Sequence, residues 1–244
     1  MVQYMQEERV ALVTGGARRV GAAVVRRLAA SGYRTLFTVN RSTSDAWRLK
    51  QELQDRGKQS DFLEINLETE DAPEQIQHWV ERIAGRLDVL VNNASLYLED
   101  EEPVEPLMRR LMHVNVEVPA ALMRRLGPML INSQGRIVNM TDLLAERPMA
   151  SYSAYCASKA ALVNSTFSAA RELAPRVTVN GISPGVVDWP EEMPLEEREW
   201  YLSRVPLRRA GTPEDVAALV HYLVTEGSYI TGQIIRLDGG RSIV

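Results

Sequence analysis

Tyr155 and Lys159 stand four residues apart in Ser151-Tyr-Ser-Ala-Tyr-Cys-Ala-Ser-Lys159, and Asp142 closes the upstream run Gly135-Arg-Ile-Val-Asn-Met-Thr-Asp142. On a helix, positions i and i+4 share a face. An ammonium there favours the phenolate and draws a tyrosine pKa of about 10 toward a usable range. A carboxylate delivered by the end of a preceding strand completes a set able to move a proton.

These groups need elements to position them, and the sequence alternates strands with helices. Near-continuous apolar runs at Arg9–Val13, Thr35–Val39, Phe62–Ile65, Asp88–Val91, Arg136–Met140, Val177–Ile182 and Ile234–Leu237 read as parallel strands covered on both faces. Amphipathic stretches lie between them at Val20–Ala30, Ala46–Arg56, Glu74–Arg86, Leu107–Arg125, Tyr152–Leu173 and Pro213–Val224. The last opens with Thr212-Pro-Glu-Asp215: a capping threonine, a first-turn proline and acids suited to the helix dipole. Strict alternation predicts an α/β fold, a doubly wound parallel sheet in a single domain over residues 1–244. Val186–Arg209 is the least regular region. It reads as a substrate loop with a short helix over the strand ends, where such sheets bind ligands.

Composition narrows the function classes. The chain has 244 residues, 45% apolar and 25% charged, with a net charge of −4 and both signs interspersed. That leaves no basic footprint for nucleic acid. No apolar run reaches the roughly 18 residues of a membrane span. The first nine residues lack the pattern of a signal peptide, and the single Cys156 fits a reducing compartment, so the expected location is the cytoplasm. His78, His113, His221 and Cys156 are scattered, so no protein-built metal site is expected. Cys156 reads as a small packing residue, and Glu99–Glu102 as a solvated loop.

The first strand-to-helix turn, Val13-Thr-Gly-Gly-Ala-Arg-Arg-Val-Gly21, carries glycines at 15, 16 and 21. They permit a tight turn and close approach of backbone to a phosphate, although the spacing is not Gly-x-Gly-x-x-Gly. Arg18 and Arg19 oppose the helix dipole by roughly 0.3–1 kcal/mol each, a penalty that a bound anion reverses. The second strand continues into Val39-Asn-Arg-Ser42, with no acid before Asp45 to hold a ribose 2′-hydroxyl. Arg41 and Ser42 instead match a 2′-phosphate, pointing to NADPH/NADP+ as cofactor.

Thr14-Gly-Gly16 through Gly21, Asn92-Asn-Ala94, Asn115, Tyr155 with Lys159, Ser183-Pro-Gly185 and Ile230-Thr-Gly232 to Asp238-Gly-Gly240 together resemble the short-chain dehydrogenases/reductases, over essentially the whole chain. The resemblance implies a Rossmann-type sheet of seven parallel strands. It also implies hydride transfer between a nicotinamide and a carbonyl or imine-type bond. Tyr155 would donate the proton, Lys159 would serve the nicotinamide ribose and the tyrosine, and Asn115 would hold the proton relay. The cofactor would be lined by Thr14, Gly15, Arg18, Arg19, Val20, Gly21, Asn40, Arg41 and Ser42. Asn66 and Leu67 would flank the adenine, and the Asn92–Ala94 turn with Ser95, then Pro184, Gly185 and Val187, would complete the lining. Asp238–Gly240 would be a tight structural element near a subunit contact of a homotetramer.

Two positions depart from the family's usual pattern. Asp142 stands where a serine is common, and Arg19 where glycine or alanine is common. The pair resembles the pteridine reductases and the related bacterial dihydromonapterin and dihydrofolate reductases. So do Asn93-Ala-Ser-Leu-Tyr97, Val138-Asn-Met-Thr-Asp142 and Glu192-Met-Pro194. By that resemblance Tyr97 would stack on a pterin, Ser95 would contact both ligands and Arg19 would serve pterin and phosphate together. Trp189 and Met193 are candidate walls. An electron-poor bicyclic ring gains from offset stacking on an aromatic. A carboxyl at 142 suits protonation of a ring nitrogen, whereas it would repel the alkoxide that develops in carbonyl reduction. The expected function is NADPH-dependent reduction of a dihydropterin, hydride to C6 and proton to N5, with dihydrofolate as a further substrate. The alternatives are a ketone or ketoacyl reductase of the same fold, and a non-catalytic nicotinamide-binding sensor or scaffold.

Overall fold

A computed structural model describes residues 8–189 and 193–244. Seven strands form one parallel sheet: β1 (Val10–Val13), β2 (Arg34–Val39), β3 (Ser60–Glu64), β4 (Val89–Asn92), β5 (Arg136–Met140), β6 (Thr178–Pro184) and β7 (Ile234–Leu237). Their spatial order is β3-β2-β1-β4-β5-β6-β7. The chain reverses direction across the sheet between β1 and β4, opening a crevice at their C-terminal ends. In register, Val13 lies beside Phe37 of β2 and Val91 of β4.

Alternate residues of each strand feed two separate cores. Ala11 and Val13 of β1 pack with α1 (Arg19–Ala30), α2 (Thr43–Asp55) and α9 (Pro213–Thr225). Val10 and Leu12 pack on the other face with α3 (Ala72–Ile83), α5 (Val118–Arg125) and the end of α7 (Ser153–Leu173). A strand with both faces covered cannot alternate apolar with polar, which is why these runs are continuous. β3 and β7 sit at the two sheet edges and are the partly exposed exceptions.

The stretch expected as one helix over Leu107–Arg125 is helical but interrupted. It comprises α4 (Val104–Met112), a π-helical turn at His113–Glu117, and α5. A π turn widens the helix by one residue and recurs at functional sites. Here it carries Asn115. α6 (Gly127–Ser133) buries only Gly127 and Leu130, too little to leave a sequence periodicity. Beyond β6, the irregular region contains one helix, α8 (Leu195–Leu202), with no buried side chain. No helix among the described residues is long and apolar enough to cross a membrane.

Candidate active site

At the end of β5, Thr141 donates both its N–H and its hydroxyl to the Ile182 carbonyl of β6, at 2.9 and 2.8 Å. This pins the strand end and presents Asp142. One carboxylate oxygen of Asp142 accepts the Leu144 N–H at 2.8 Å, capping a short 3-10 turn over Leu143–Ala145. The other accepts the Tyr155 hydroxyl at 2.7 Å. Asp142 is therefore a turn cap and the partner of the tyrosine at once.

Lys159 is buried one helical turn beyond Tyr155. Its Nζ donates to the Met140 carbonyl at 2.9 Å and lies 5.7 Å from the centre of the Tyr155 ring. Burial brings its pKa down to about 8, against the opposing pull of Asp142. The expected lowering of the tyrosine pKa is not what the structure gives. Burial, and then the charge of Asp142, hold Tyr155 well above its ordinary value. The reason is geometric: the ammonium is directed at a backbone carbonyl while the phenol faces a carboxylate. Tyr155 thus keeps its proton, the state a proton donor needs.

Asn115 is buried beneath this pair. Its Nδ2 donates to the Leu96 carbonyl and to Ser158 Oγ, each at 3.0 Å, and its Oδ1 accepts the Leu96 N–H at 2.8 Å. Ser158 Oγ in turn donates to the Tyr155 carbonyl at 2.7 Å. Asn115 therefore fixes the segment after β4 against α7, and its contacts position Tyr155 without touching the phenol. Ser95 joins this node by donating its hydroxyl to Asn115 Oδ1 at 3.1 Å. Asn92, expected to line the cofactor with its neighbours, instead donates to Asn139 inside the core at 2.8 Å. As the last residue of β4, its side chain points into the helix layer, where Asn139 and Thr166 continue the buried chain at 2.9 Å.

Tyr97 lies over Tyr155. Its ring stacks on Tyr152 (4.7 Å, 15°) and meets Tyr155 edge-on (4.8 Å, 87°), with half of its surface exposed. Burial and the Tyr152 hydroxyl raise its pKa, so it too remains a neutral phenol. The segment bearing it is tied down by Asp100, which the sequence reading assigned to a solvated loop. Asp100 accepts the Ser153 N–H at 2.7 Å, the Ser153 hydroxyl at 2.6 Å and the Ala154 N–H at 3.1 Å. Its own N–H donates to the Ser151 carbonyl at 2.7 Å. Tyr152, at the N-cap of α7, supplies no side-chain cap, so the first N–H groups of that helix take a remote carboxylate. That missing local cap was the available signal.

The cofactor end forms at the β1–α1 turn. Thr14 Oγ1 accepts the N–H groups of Asn93 and Ala94, both at 3.0 Å, and Asn93 Nδ2 donates to the Thr14 and Gly15 carbonyls at 2.9 and 3.1 Å. A Cβ at Gly21 would lie 2.1 Å from the Gly15 carbonyl oxygen, and Gly15 has φ +64°, so both must be glycine. Gly185 donates to the Leu237 carbonyl at 3.0 Å and closes the opposite wall beside Pro184 and Val187. Helix α1 begins with no acid in its first turn and no side-chain cap, which leaves the N–H groups around Val20 directed outward. Exposed Asn40 and Arg41 follow β2, with Ser42 at the start of α2. Asn66 Oδ1 accepts the Glu68 N–H at 3.0 Å, beside buried Leu67. This turn, with Arg18 near Asp45 at 3.7 Å, fits a phosphate-bearing dinucleotide.

Arg19 reaches across the crevice. Its Nε donates to Asp188 at 2.5 Å and its Nη2 to the Trp189 carbonyl at 3.2 Å. Its φ of +50° is a region L-residues avoid. Trp189 packs edge-on against Tyr201 at 5.6 Å, with the Arg198 guanidinium 5.9 Å from its ring centre. The Met193 carbonyl accepts from Arg198 at 2.9 Å. The structure thus places Trp189 against Tyr201, whose phenol feels the charge of Asp142, and ties Met193 to α8 through Arg198. Glu192 lies outside the described residues. Cys156 is a buried free thiol, as its packing role requires. Among the described residues, no group of three or more His, Cys, Asp or Glu could hold a metal ion.

Comparison with known proteins agrees with this geometry. Residues 15–242 match the family described as Enoyl-(Acyl carrier protein) reductase. The chain is 31% identical to pteridine reductase 1 of Leishmania tarentolae, over 96% of each. It is 32% identical to a 3-oxoacyl-(acyl-carrier-protein) reductase of Thermotoga maritima, over 96% of this chain and 98% of the relative. A blue fluorescent protein from a metagenomic library, solved in complex with NADPH, superposes with a TM-score of 0.90 at 33% identity, covering 96% of this chain and 98% of that one. This chain, with its Tyr155–Lys159 pair on α7 and glycine turn after β1, belongs to the short-chain dehydrogenase/reductase family of oxidoreductases.

Proposed function

We propose that the protein reduces a dihydropterin to the tetrahydropterin with NADPH, adding hydride at C6 and a proton at N5, and that it also accepts dihydrofolate. NADPH, which the glycine turn and Arg41 suit and which a 33%-identical structural relative binds, supplies the hydride when bound. The observation that carries the pterin reading is the 2.7 Å hydrogen bond from Tyr155 to Asp142, with Tyr97 edge-on to the same ring. Tyr155 holds its proton for delivery to N5, and the Asp142 carboxylate beside it can take a proton from water and pass it to the phenolate left behind. Lys159, one turn along, offsets the negative charge that the pair gains. Tyr97 offers a flat face for an electron-poor bicycle. A carboxylate here opposes a developing alkoxide, so it disfavours carbonyl reduction in the same pocket.

A second reading has its own support. The 3-oxoacyl reductase relative, at 32%, is as similar as the pteridine reductase, at 31%. The two readings separate in one experiment: loss of reduced-nicotinamide absorbance, with NADPH and with NADH, given dihydrobiopterin, dihydromonapterin, dihydrofolate and a ketone panel. The pterin reading expects turnover with pterins and a preference for NADPH. It also expects Asp142→Ser to lose pterin turnover. Ketone turnover without pterin turnover would sink it, as would ketone reduction gained by Asp142→Ser with pterin reduction intact. NADPH binding without turnover on any substrate would favour a sensor or scaffold.

A further inference from the structure

Among the described residues, eleven arginines of this acidic chain pair with an Asp or Glu side chain. Arg26 pairs with Glu52, Arg34 with Asp61, Arg86 with Asp88, Arg110 with Glu68 and Arg236 with Glu146. Arg147, Arg204, Arg208 and Arg241 form a different group. They line one cavity of about 430 Å³ behind α8, floored by Val205 and Pro206. Among the described residues, none of the four pairs with an Asp or Glu side chain, and no acidic side chain lines the cavity. Two acids close in sequence to Arg147 and Arg241 are committed elsewhere. Glu146 holds Arg236, and Asp238 accepts the backbone N–H groups of Gly240 and Ser242 at 2.9 and 2.7 Å.

The four guanidinium groups are held in place by contacts that include one carboxylate, that of the terminal Val244, against four positive charges. Arg147 donates to the Arg241 carbonyl and to the Val244 carboxylate at 2.8 and 2.6 Å, and Arg208 to the Ser203 carbonyl at 2.6 Å. Arg204 lies 3.6 Å over the Trp200 ring, and Arg241 5.7 Å over Tyr201. The Nε of Arg241 is buried without a hydrogen-bond partner. A guanidinium has five N–H donors in a rigid fork, so each anchor uses few of them. Bringing like charges together costs free energy, and removing their partners costs more. A multiply charged anion reverses both terms, with bidentate geometry available at each fork.

We propose that this cleft is a binding site for a polyanion carrying carboxylate or phosphate groups, whether a separate ligand or the charged tail of a substrate. It is joined to the substrate loop by contact. Arg241 faces Tyr201, Tyr201 packs on Trp189, and the Trp189 carbonyl accepts from Arg19 in the cofactor turn. Occupancy of the cleft therefore bears on the loop that covers the strand ends. The proposal does not depend on which ring the enzyme reduces.

The test is calorimetric titration of the NADP+-saturated protein, so that the glycine turn is already filled, with inorganic pyrophosphate and separately with a tri-γ-glutamyl peptide. At least one should bind saturably, with a Kd below ~1 mM. Binding should weaken with salt, as exposed ion pairing does. Arg204→Ala combined with Arg208→Ala should weaken it at least about tenfold, the loss of roughly 1.4 kcal/mol. Arg26→Ala should leave it unchanged. Pyrophosphate binding alone identifies a phosphoryl ligand, and peptide binding alone a carboxylate tail. Absence of binding by both probes, or binding unaffected by the double variant, overturns the proposal. So does a double variant that changes the sedimentation of a protein that binds neither probe, since the cleft would then be an interface between copies.

Discussion

At the residue scale, the proton chemistry rests on three side chains whose charges oppose one another. Asp142 raises the pKa of Tyr155 and also that of Lys159, while burial brings Lys159 down to about 8. As pH rises through that value the lysine loses its charge, and with it the compensation for the proton Tyr155 gives up. The value of kcat/KM for reduction is therefore expected to fall above a pH near 8, since that ratio reports groups on the free enzyme. Asp142→Asn removes the charge that props up Lys159, so this limb should move to lower pH in whatever activity remains. A limb that stays in place, or moves upward, would assign it to another group. Arg19 gives a second expectation. Its left-handed backbone costs about 1–2 kcal/mol, which Arg19→Gly would relieve. Against that stand a glycine entropy cost of about 0.5–1 kcal/mol and an exposed ion pair worth about 0–1 kcal/mol. The terms nearly cancel. Arg19→Gly should leave Tm almost unchanged while, on the pterin reading, raising the KM for that substrate, measured by melting and by steady-state kinetics. A large drop in Tm would mean that Arg19 is mainly structural.

At the element scale, the site depends on how α7 is held. The sequence placed Tyr155 and Lys159 on that helix because their spacing is local, and it placed Asp142 at a strand end for the same reason. The contacts made by Asp100 and Asn115 were not legible, because each joins segments distant in sequence. Asp100 reaches 53 residues to Ser153, and Asn115 reaches 43 to Ser158. A run of four acids reads as solvated until the uncapped helix it serves is in view. Asp100 ties the segment after Tyr97 to the start of α7, so on the pterin reading Asp100→Ala should raise the KM for that substrate several-fold. NADPH affinity, measured by fluorescence titration, should be little affected. Asp100→Asn retains an oxygen acceptor for the helix N–H groups and should recover part of the loss. Equal losses in both variants, with NADPH binding also impaired, would mean that the whole face has rearranged rather than one clamp opened.

At the scale of the whole molecule, strand positions and sheet class were legible because double coverage makes parallel strands continuously apolar, as Val10–Val13 and Val89–Asn92 show. The π turn was not, because its widened backbone leaves the helical pattern of Leu107–Arg125 almost undisturbed. What the monomer leaves uncovered concerns assembly. Phe167 on α7 and Tyr222 on α9 are 46% and 45% exposed, and Leu195 and Trp200 on α8 are 73% and 58% exposed. We propose that these side chains lie on the faces covered in the homotetramer that the family resemblance implies. A homotetramer buries more than one such face, because its symmetry repeats two kinds of interface. On that proposal, sedimentation should give four times the chain mass of 27.4 kDa. Tm should rise with protein concentration, since association stabilises the folded state by mass action. Phe167→Glu introduces a charge at one such face and should yield smaller assemblies with unchanged far-UV circular dichroism. A monomer of full activity at micromolar concentration would show instead that these faces serve no assembly and that the site is complete within one chain.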